Sequence, residues 1–166
     1  MFTRNLVRAA IAVFIVSTIS AIYIFSNDSQ PKNYLSKTDY LNSKRQIKCL
    51  ADNIYYEAAN QSYEGMKAVA YVTLNRATSG RWPSDTCSVV YQKTDNVCQF
   101  SWVCERNRPP VDTLWDKSYN VARHVFYQYE KEKDPTYGAV FYHATYVNPQ
   151  WKYNKIIQIG DHIFYR

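Results

Sequence analysis

Residues 49–76, CLADNIYYEAANQSYEGMKAVAYVTLNR, constrain the fold of this chain more than any other stretch. Leading into and through the first half, apolar residues recur near helical spacing at Leu41, Ile47, Leu50, Ile54, Tyr55 and Ala58. A polar break at Asn60, Gln61 and Ser62 stops that helix. Ser62 is placed to cap a second helix with Glu64 in its first turn. Met66, Val69, Ala70 and Thr73 supply the second helix's buried face, and Asn75 and Arg76 close it, with a structural role expected for both. Glu57 stands on the last turns of the first helix among Tyr55, Tyr56, Ala58 and Ala59. A carboxyl group so flanked loses water and favours its neutral form, which raises its pKa. A general acid working near neutral pH needs that shift. Most helix glutamates are solvated, so composition alone favours a plain surface acid here.

The N-terminus belongs to a different regime. Residues 1–8 carry Arg4 and Arg8 and no acid, and residues 9–25 carry no charge. Such a run is a signal peptide or signal anchor, at the short end of what spans a bilayer. The flanking arginines keep that end cytoplasmic and place the rest outside. The run ends in Ala21, Ile22, Tyr23 and Ile24 without a small-x-small cleavage pattern, so an uncleaved anchor in the inner membrane is expected. Residues 26–38 are polar, contain Pro31 and read as a linker.

From residue 39 onward the chain reads as one domain. Thr38 or Asp39 caps its first helix. A short helix is expected over 84–92 with Pro83 near its first turn. Residues 93–107 have no clear period. Asp112 caps a longer helix over 113–133, with Leu114, Trp115, Val121, Ala122, Val125, Phe126 and Tyr129 as its buried stripe and Asp134-Pro135 as its stop. Residues 138–146, GAVFYHATY, read as a strand. Two apolar runs, 156–159 and 162–165, flank Gly160-Asp161 as a tight hairpin. Helices first and a small strand cluster later give an α+β class, helix-dominated with a minor sheet.

Cys49, Cys87, Cys98 and Cys104 form an even set downstream of the export segment, and export predicts two disulfides. Three pairings are possible; Cys98–Cys104 closes only a short loop, which leaves Cys49–Cys87. The three histidines, His124, His143 and His162, are scattered and no CxxC or HExxH spacing occurs, so neither a metal nor any other cofactor is expected. The formal net charge of +6 suits an anionic partner. There is no basic stripe and no nucleic-acid module, so nucleic acid is not the expected partner, although charge alone does not choose. A bacterial wall, with peptide carboxylates along its glycan, fits the charge as well. Sixteen Tyr, four Trp and seven Phe give large buried area and, in an exposed cleft, rings on which sugars stack.

The 49–76 segment, the FPxT-like RWPSDTC, CQFSWVCE, GAVFYHATYVNPQW and IGDHIFYR occur in the order found in the SleB-type cell wall hydrolase family, which the chain resembles from Ile47 to Arg166. The resemblance implies a small lysozyme-like domain over 39–166. Its spore-cortex members are lytic transglycosylases, so the implied activity is cleavage of peptidoglycan glycan strands between N-acetylmuramic acid and N-acetylglucosamine. Glu57 is then the catalytic residue. Gln99, Ser101 and Trp102 take the family's cleft motif, and Tyr142 and His143 contact the substrate or orient Glu57. The expected setting is extracytoplasmic, as a monomer, in a bacterium remodelling its wall or a phage lysing its host. A water-using glycosidase and a non-catalytic wall-binding protein are the alternatives.

In the family the Glu-Ala pair is commonly followed by Arg-Gly-Glu. Here Ala59, Asn60 and Gln61 stand at those positions, and the second acid is missing. Glycosidases that use water generally need two carboxyl groups. A lytic transglycosylase needs one, because the muramic acid's own C6 hydroxyl replaces water. The departure therefore favours transglycosylation, with Glu64 and Glu105 as the acids to consider if water were the acceptor.

Overall fold

The middle helix of the domain is buried on almost every side, and the remaining elements are arranged to cover it. A computed structural model describes residues 36–105 and 113–166. The proposed anchor and most of the linker lie outside them, as does Asp112; no helix among the described residues is long and apolar enough to cross a membrane. Lys37–Arg166 form one compact unit. In chain order its elements are α1 (Lys37–Ala58), α2 (Tyr63–Thr78), α3 (Thr86–Val90), β1 (Lys93–Thr94), β2 (Val97–Cys98), α4 (Ser101–Cys104), α5 (Thr113–Gln128), β3 (Phe141–Ala144), β4 (Lys155–Ile159) and β5 (His162–Tyr165).

Ser62 caps α2 as its sequence position predicts: its side chain accepts from Gly65 N. Met66, Val69, Ala70 and Thr73 are all fully buried, yet so are Ala68, Tyr71 and Val72 on other faces. A helix apolar all round has to be sheathed. On one side Ile47, Leu50 and Ile54 of α1 and Val121, Ala122 and Val125 of α5 pack against it. On another, Ala68 and Val72 meet Ala139 and Phe164 at the sheet. Strand order in that sheet is β3-β5-β4, antiparallel throughout, so the predicted hairpin supplies its centre and one edge.

Several boundaries fall short of the pattern. The last helix ends at Gln128, not near 133, and its last carbonyl accepts from Lys131 N and Glu132 N in the turn that follows. Leu114 is 38% exposed and Leu41 53%, so neither joins the core; burial on α1 begins only at Gln46. The helix expected over 84–92 shrinks to α3, since Asp85 caps it by accepting from Ser88 N. The strand expected over 138–146 shrinks to β3, its first residues being taken up by a turn with Tyr137 and Gly138 at positive φ. The segment without period holds a two-stranded ribbon, β1-β2, turning through Asp95 and Asn96 at φ 49° and 67°.

Two side-chain ties fix the joints. Asn75 donates to Asp134 Oδ2 and the Ala139 carbonyl, each at 2.9 Å, and accepts from the Tyr129 hydroxyl at 2.7 Å. At the break between α1 and α2, the Gln61 amide donates to Asp161 Oδ2 at 2.9 Å and its oxygen accepts from Asp161 N at 3.1 Å. Gln61 thereby clasps the β4-β5 turn. Gly160 has φ +55° there, and a Cβ would fall 2.5 Å from Gln61 Oε1, so both conformation and space require glycine.

Cys49–Cys87 and Cys98–Cys104 are bonded, with sequence separations of 38 and 6. Loop closure makes the longer one worth about 4 kcal/mol and the shorter about 2 kcal/mol in the chain-entropy account. Denaturant unfolding is expected to show the larger loss for the Cys49→Ala, Cys87→Ala double variant; equal or reversed losses would contradict loop length as the cause. Gln61→Glu replaces an amide donor by a carboxylate facing Asp161. It is expected to lower Tm by about 2–5 °C at neutral pH, with the difference closing in acid as one of the pair takes a proton.

Candidate functional site

Glu57 reaches the last turn of α1 just before the backbone reverses, with Gln61 N bonded to the Ala58 carbonyl. There it lies half-buried at the base of a cleft of ≈ 410 Å³, beside Arg76 of α2. One wall is Gln99, Phe100 and Ser101, carried on the loop that Cys98–Cys104 closes. The other is Phe141 and Tyr142 of β3, with Trp151 and Tyr153 of the β3-β4 connection. Among the described residues Glu57 is the only carboxylate lining this cleft.

The surroundings hold Glu57 towards its acid form. Burial raises its pKa, and the nearby Glu105 charge adds to the rise; the Tyr142 hydroxyl and the Arg76 charge offset part of it. The Tyr142 hydroxyl donates to Glu57 Oε2 at 3.0 Å. Burial and then the Glu57 charge push the Tyr142 hydroxyl well above its ordinary value, so it stays a donor. Asn53, behind it, offsets part of that rise. Asn53 donates to Thr73 Oγ1 at 3.1 Å and accepts from Trp102 Nε1 at 3.3 Å. Arg76 is 4% exposed, its Nε donating to the Val140 carbonyl at 2.7 Å. Its guanidinium carbon lies 5.4 Å from the Phe100 ring centre and 5.7 Å from that of Trp82.

Of the residues singled out from sequence, Glu57, Gln99, Ser101 and Tyr142 meet at this cleft; Trp102 and His143 do not line it. Trp102 is 9% exposed, stacked on Tyr56 at 4.4 Å and bonded to Asn53. It points inwards because α4 makes one turn, which buries Trp102 against Val90 while Ser101 faces out. His143 shares a strand face with Phe141, but its ring packs against Trp151 and Tyr165 and not into the cleft. Its Nδ1 donates to the Ala144 carbonyl at 2.9 Å, leaving Nε2 to accept from the Tyr165 hydroxyl at 2.8 Å. The sequence pattern missed Arg76 as a cleft residue, along with Phe100, Phe141, Trp151 and Tyr153. Trp151 and Tyr153 had one available signal, large rings in a Pro-containing polar stretch with no strand partner.

Gln61 is bonded to the hairpin turn and Glu64 starts α2; neither lines the cleft. All four cysteines are in disulfides, so none is a thiol nucleophile. A second hollow of ≈ 290 Å³ opens near Gln46, Asp85 and Tyr129. Its polar groups are committed to structure: Gln46 bonds Asp85 and Cys87 N, and Tyr129 bonds Asn75.

Residues 60–165 match the family described as Cell Wall Hydrolase, a span beginning three residues after Glu57. Over 129 residues the chain is 30% identical to the spore cortex-lytic enzyme of Oceanobacillus iheyensis, covering 74% of this chain and 42% of that enzyme. Over 125 residues it is 29% identical to the spore cortex-lytic enzyme of Bacillus subtilis, covering 74% and 38%. The chain thus spans less than half the length of these curated relatives. The catalytic domain of the Bacillus cereus SleB protein superposes with a TM-score of 0.54 at 25% identity, over 74% of this chain and 91% of that one. The catalytic domain of the germination-specific lytic transglycosylase SleB from Bacillus anthracis has a TM-score of 0.54 at 24% identity, over 82% and 99%, and bears on the fold alone. The family match covers more than half of the 166 residues, in the same helix-rich architecture with small sheets. This chain belongs to the SleB-type cell wall hydrolase family.

Proposed function

We propose that this protein cuts the glycan strand of peptidoglycan between N-acetylmuramic acid and N-acetylglucosamine as a lytic transglycosylase, with Glu57 as its one acid and base. What carries the proposal is a desolvated Glu57, the sole cleft carboxylate among the described residues, bonded to Tyr142 at the base of an aromatic-walled cleft. Neutral Glu57 gives its proton to the glycosidic oxygen as the bond from C1 breaks. The carboxylate left behind is stabilised by the Tyr142 hydroxyl and the Arg76 charge. The muramic C6 hydroxyl attacks C1, and Glu57 takes that hydroxyl's proton. A 1,6-anhydro sugar results, no water is consumed, and Glu57 returns to its starting state. Hydrolysis would ask for a second carboxyl group, and the Gln61 position that would supply it by family pattern is turned to the hairpin. The spore cortex-lytic relatives supply the substrate class, and two disulfides suit an extracytoplasmic setting.

The purified full chain, incubated with isolated sacculi, is expected to release muropeptides with 1,6-anhydromuramic ends, lighter by one water than reducing ends on mass spectrometry. Glu57→Gln is expected to lower that release by at least about a hundredfold. Reducing ends would mean that water is the acceptor, and sedimentation with sacculi without any release would mean a wall-binding protein.

The pH profile follows from the raised Glu57 pKa. The acid form is populated below that pKa and lost above it, so activity falls as pH rises through it. Tyr142→Phe removes a donor that favours the carboxylate, which raises the Glu57 pKa further and moves the basic limb to higher pH. The same change weakens the carboxylate needed in the second half of the cycle, lowering kcat by about tenfold. An unmoved basic limb in Tyr142→Phe would remove Glu57 as the group responsible for it.

A further inference from the structure

We propose that Trp151 and Tyr153 form a preformed stacking platform for an N-acetylhexosamine ring of the glycan strand, on the β3-β4 side of Glu57. The glycan as ligand class rests on the function proposed above; the platform itself rests on geometry. Both rings line the cleft with Glu57, and they are 42% and 46% exposed. Their ring centres are 5.7 Å apart with 62° between planes, a corner in which one ring can stack on a sugar face while the other flanks it.

The two rings are held by a bracing layer. Phe141 lies parallel to Tyr153 at 4.2 Å with 3° between planes. Trp151 is braced edge-on by His143 at 5.5 Å and by Tyr165 at 5.8 Å. His143 is in turn locked by hydrogen bonds from both ring nitrogens, and it stacks on Tyr165 at 5.1 Å. His143 thus acts on the cleft through Trp151. An aromatic cluster serving stability alone would turn its largest faces inwards. Here the half-buried members, Phe141, His143 and Tyr165, do the bracing, and the exposed pair faces the cleft.

The occupant follows from the chemistry of the wall. A pyranose presents an apolar face of C–H groups, which suits the negative face of an aromatic ring. Trp151 and Tyr153 carry no charge, so this wall fits the neutral sugar ring better than the peptide stem with its carboxylates. Fixing the rings in advance limits the ordering cost of binding.

The test uses the full chain carrying Glu57→Gln, so that no probe is consumed, and a β-1,4-linked N-acetylglucosamine tetramer followed by titration calorimetry. Trp151→Ala and Tyr153→Ala are each expected to weaken binding by at least about tenfold, with Trp151→Phe retaining most of it. Thermal unfolding reports whether each variant is folded; should Trp151→Ala fail to fold, Tyr153→Leu and Trp151→Phe carry the comparison. Unchanged affinity in the folded alanine variants overturns the platform even if the wild type releases muropeptides. So does a Glu57→Gln chain that does not bind the tetramer. Conversely, a wild type inert on sacculi whose tetramer binding depends on Trp151 and Tyr153 keeps the platform and removes the catalytic function.

Discussion

Taking the Arg76 guanidinium almost wholly out of water costs free energy that this fold recovers only by assembling several elements around it. The Val140 carbonyl accepts from Nε, Trp82 and Phe100 approach the guanidinium, and Glu57 supplies the opposite charge. Those partners come from the end of α1, the loop after α2, the segment before α4 and the start of the sheet. No two of these segments are adjacent in sequence. Asn75, one residue earlier, ties the same helix to the turn before β3 through Asp134 and the Ala139 carbonyl. Together they register the sheet against the helices, and the cleft is the space left where the two meet. Arg76 Nη1 remains without a partner among the described residues, in keeping with a group placed for its charge.

Behind Glu57 and its partner Tyr142, the buried Asn53 of α1 is shared by Thr73 of α2 and Trp102 of α4. The Tyr142–Glu57, Asn53–Thr73 and Trp102–Asn53 bonds join α1 to β3, α2 and α4 in turn, so the set holds only when the helices and β3 are docked. A buried network of this kind is favourable when fully satisfied and costly when one member is lost. It explains why a tryptophan in the cleft motif is turned away from the cleft: its indole N–H is bonded to the buried Asn53 amide. The Cys98–Cys104 bridge has a parallel role, holding Gln99 to Ser101 as a wall in a segment with little regular structure of its own.

Much of the architecture was legible locally. Ser62 could be assigned as a cap because Ser side chains bond the free N–H groups of a helix start, a matter of four consecutive residues. The hairpin about Gly160-Asp161 follows from turn chemistry, which is local too; loop length favoured Cys98–Cys104 but left three pairings open. The long helix was read too far and Leu114 was placed in its core, since periodicity records which residues are apolar and not where the covering surface stops. Trp102 and His143 looked like cleft residues because they sit beside ones that are; which face a neighbour turns to depends on docking.

The helical pair and the hairpin were written in the sequence, because capping and periodicity act over a few residues; Glu57 stood out only through the family resemblance. Tertiary structure alone decided that Gln61 clasps a hairpin 100 residues away. It also made Arg76 a neighbour of the cleft carboxyl group, and set Trp151 and Tyr153 edge to face on one wall. Desolvation belongs to that second class. Tyr55, Tyr56, Ala58 and Ala59 made Glu57 a carboxyl that could lose its water. Only the packing of β3 and the α4 segment across the end of α1 removes it, and a pKa is set by the solvent that remains.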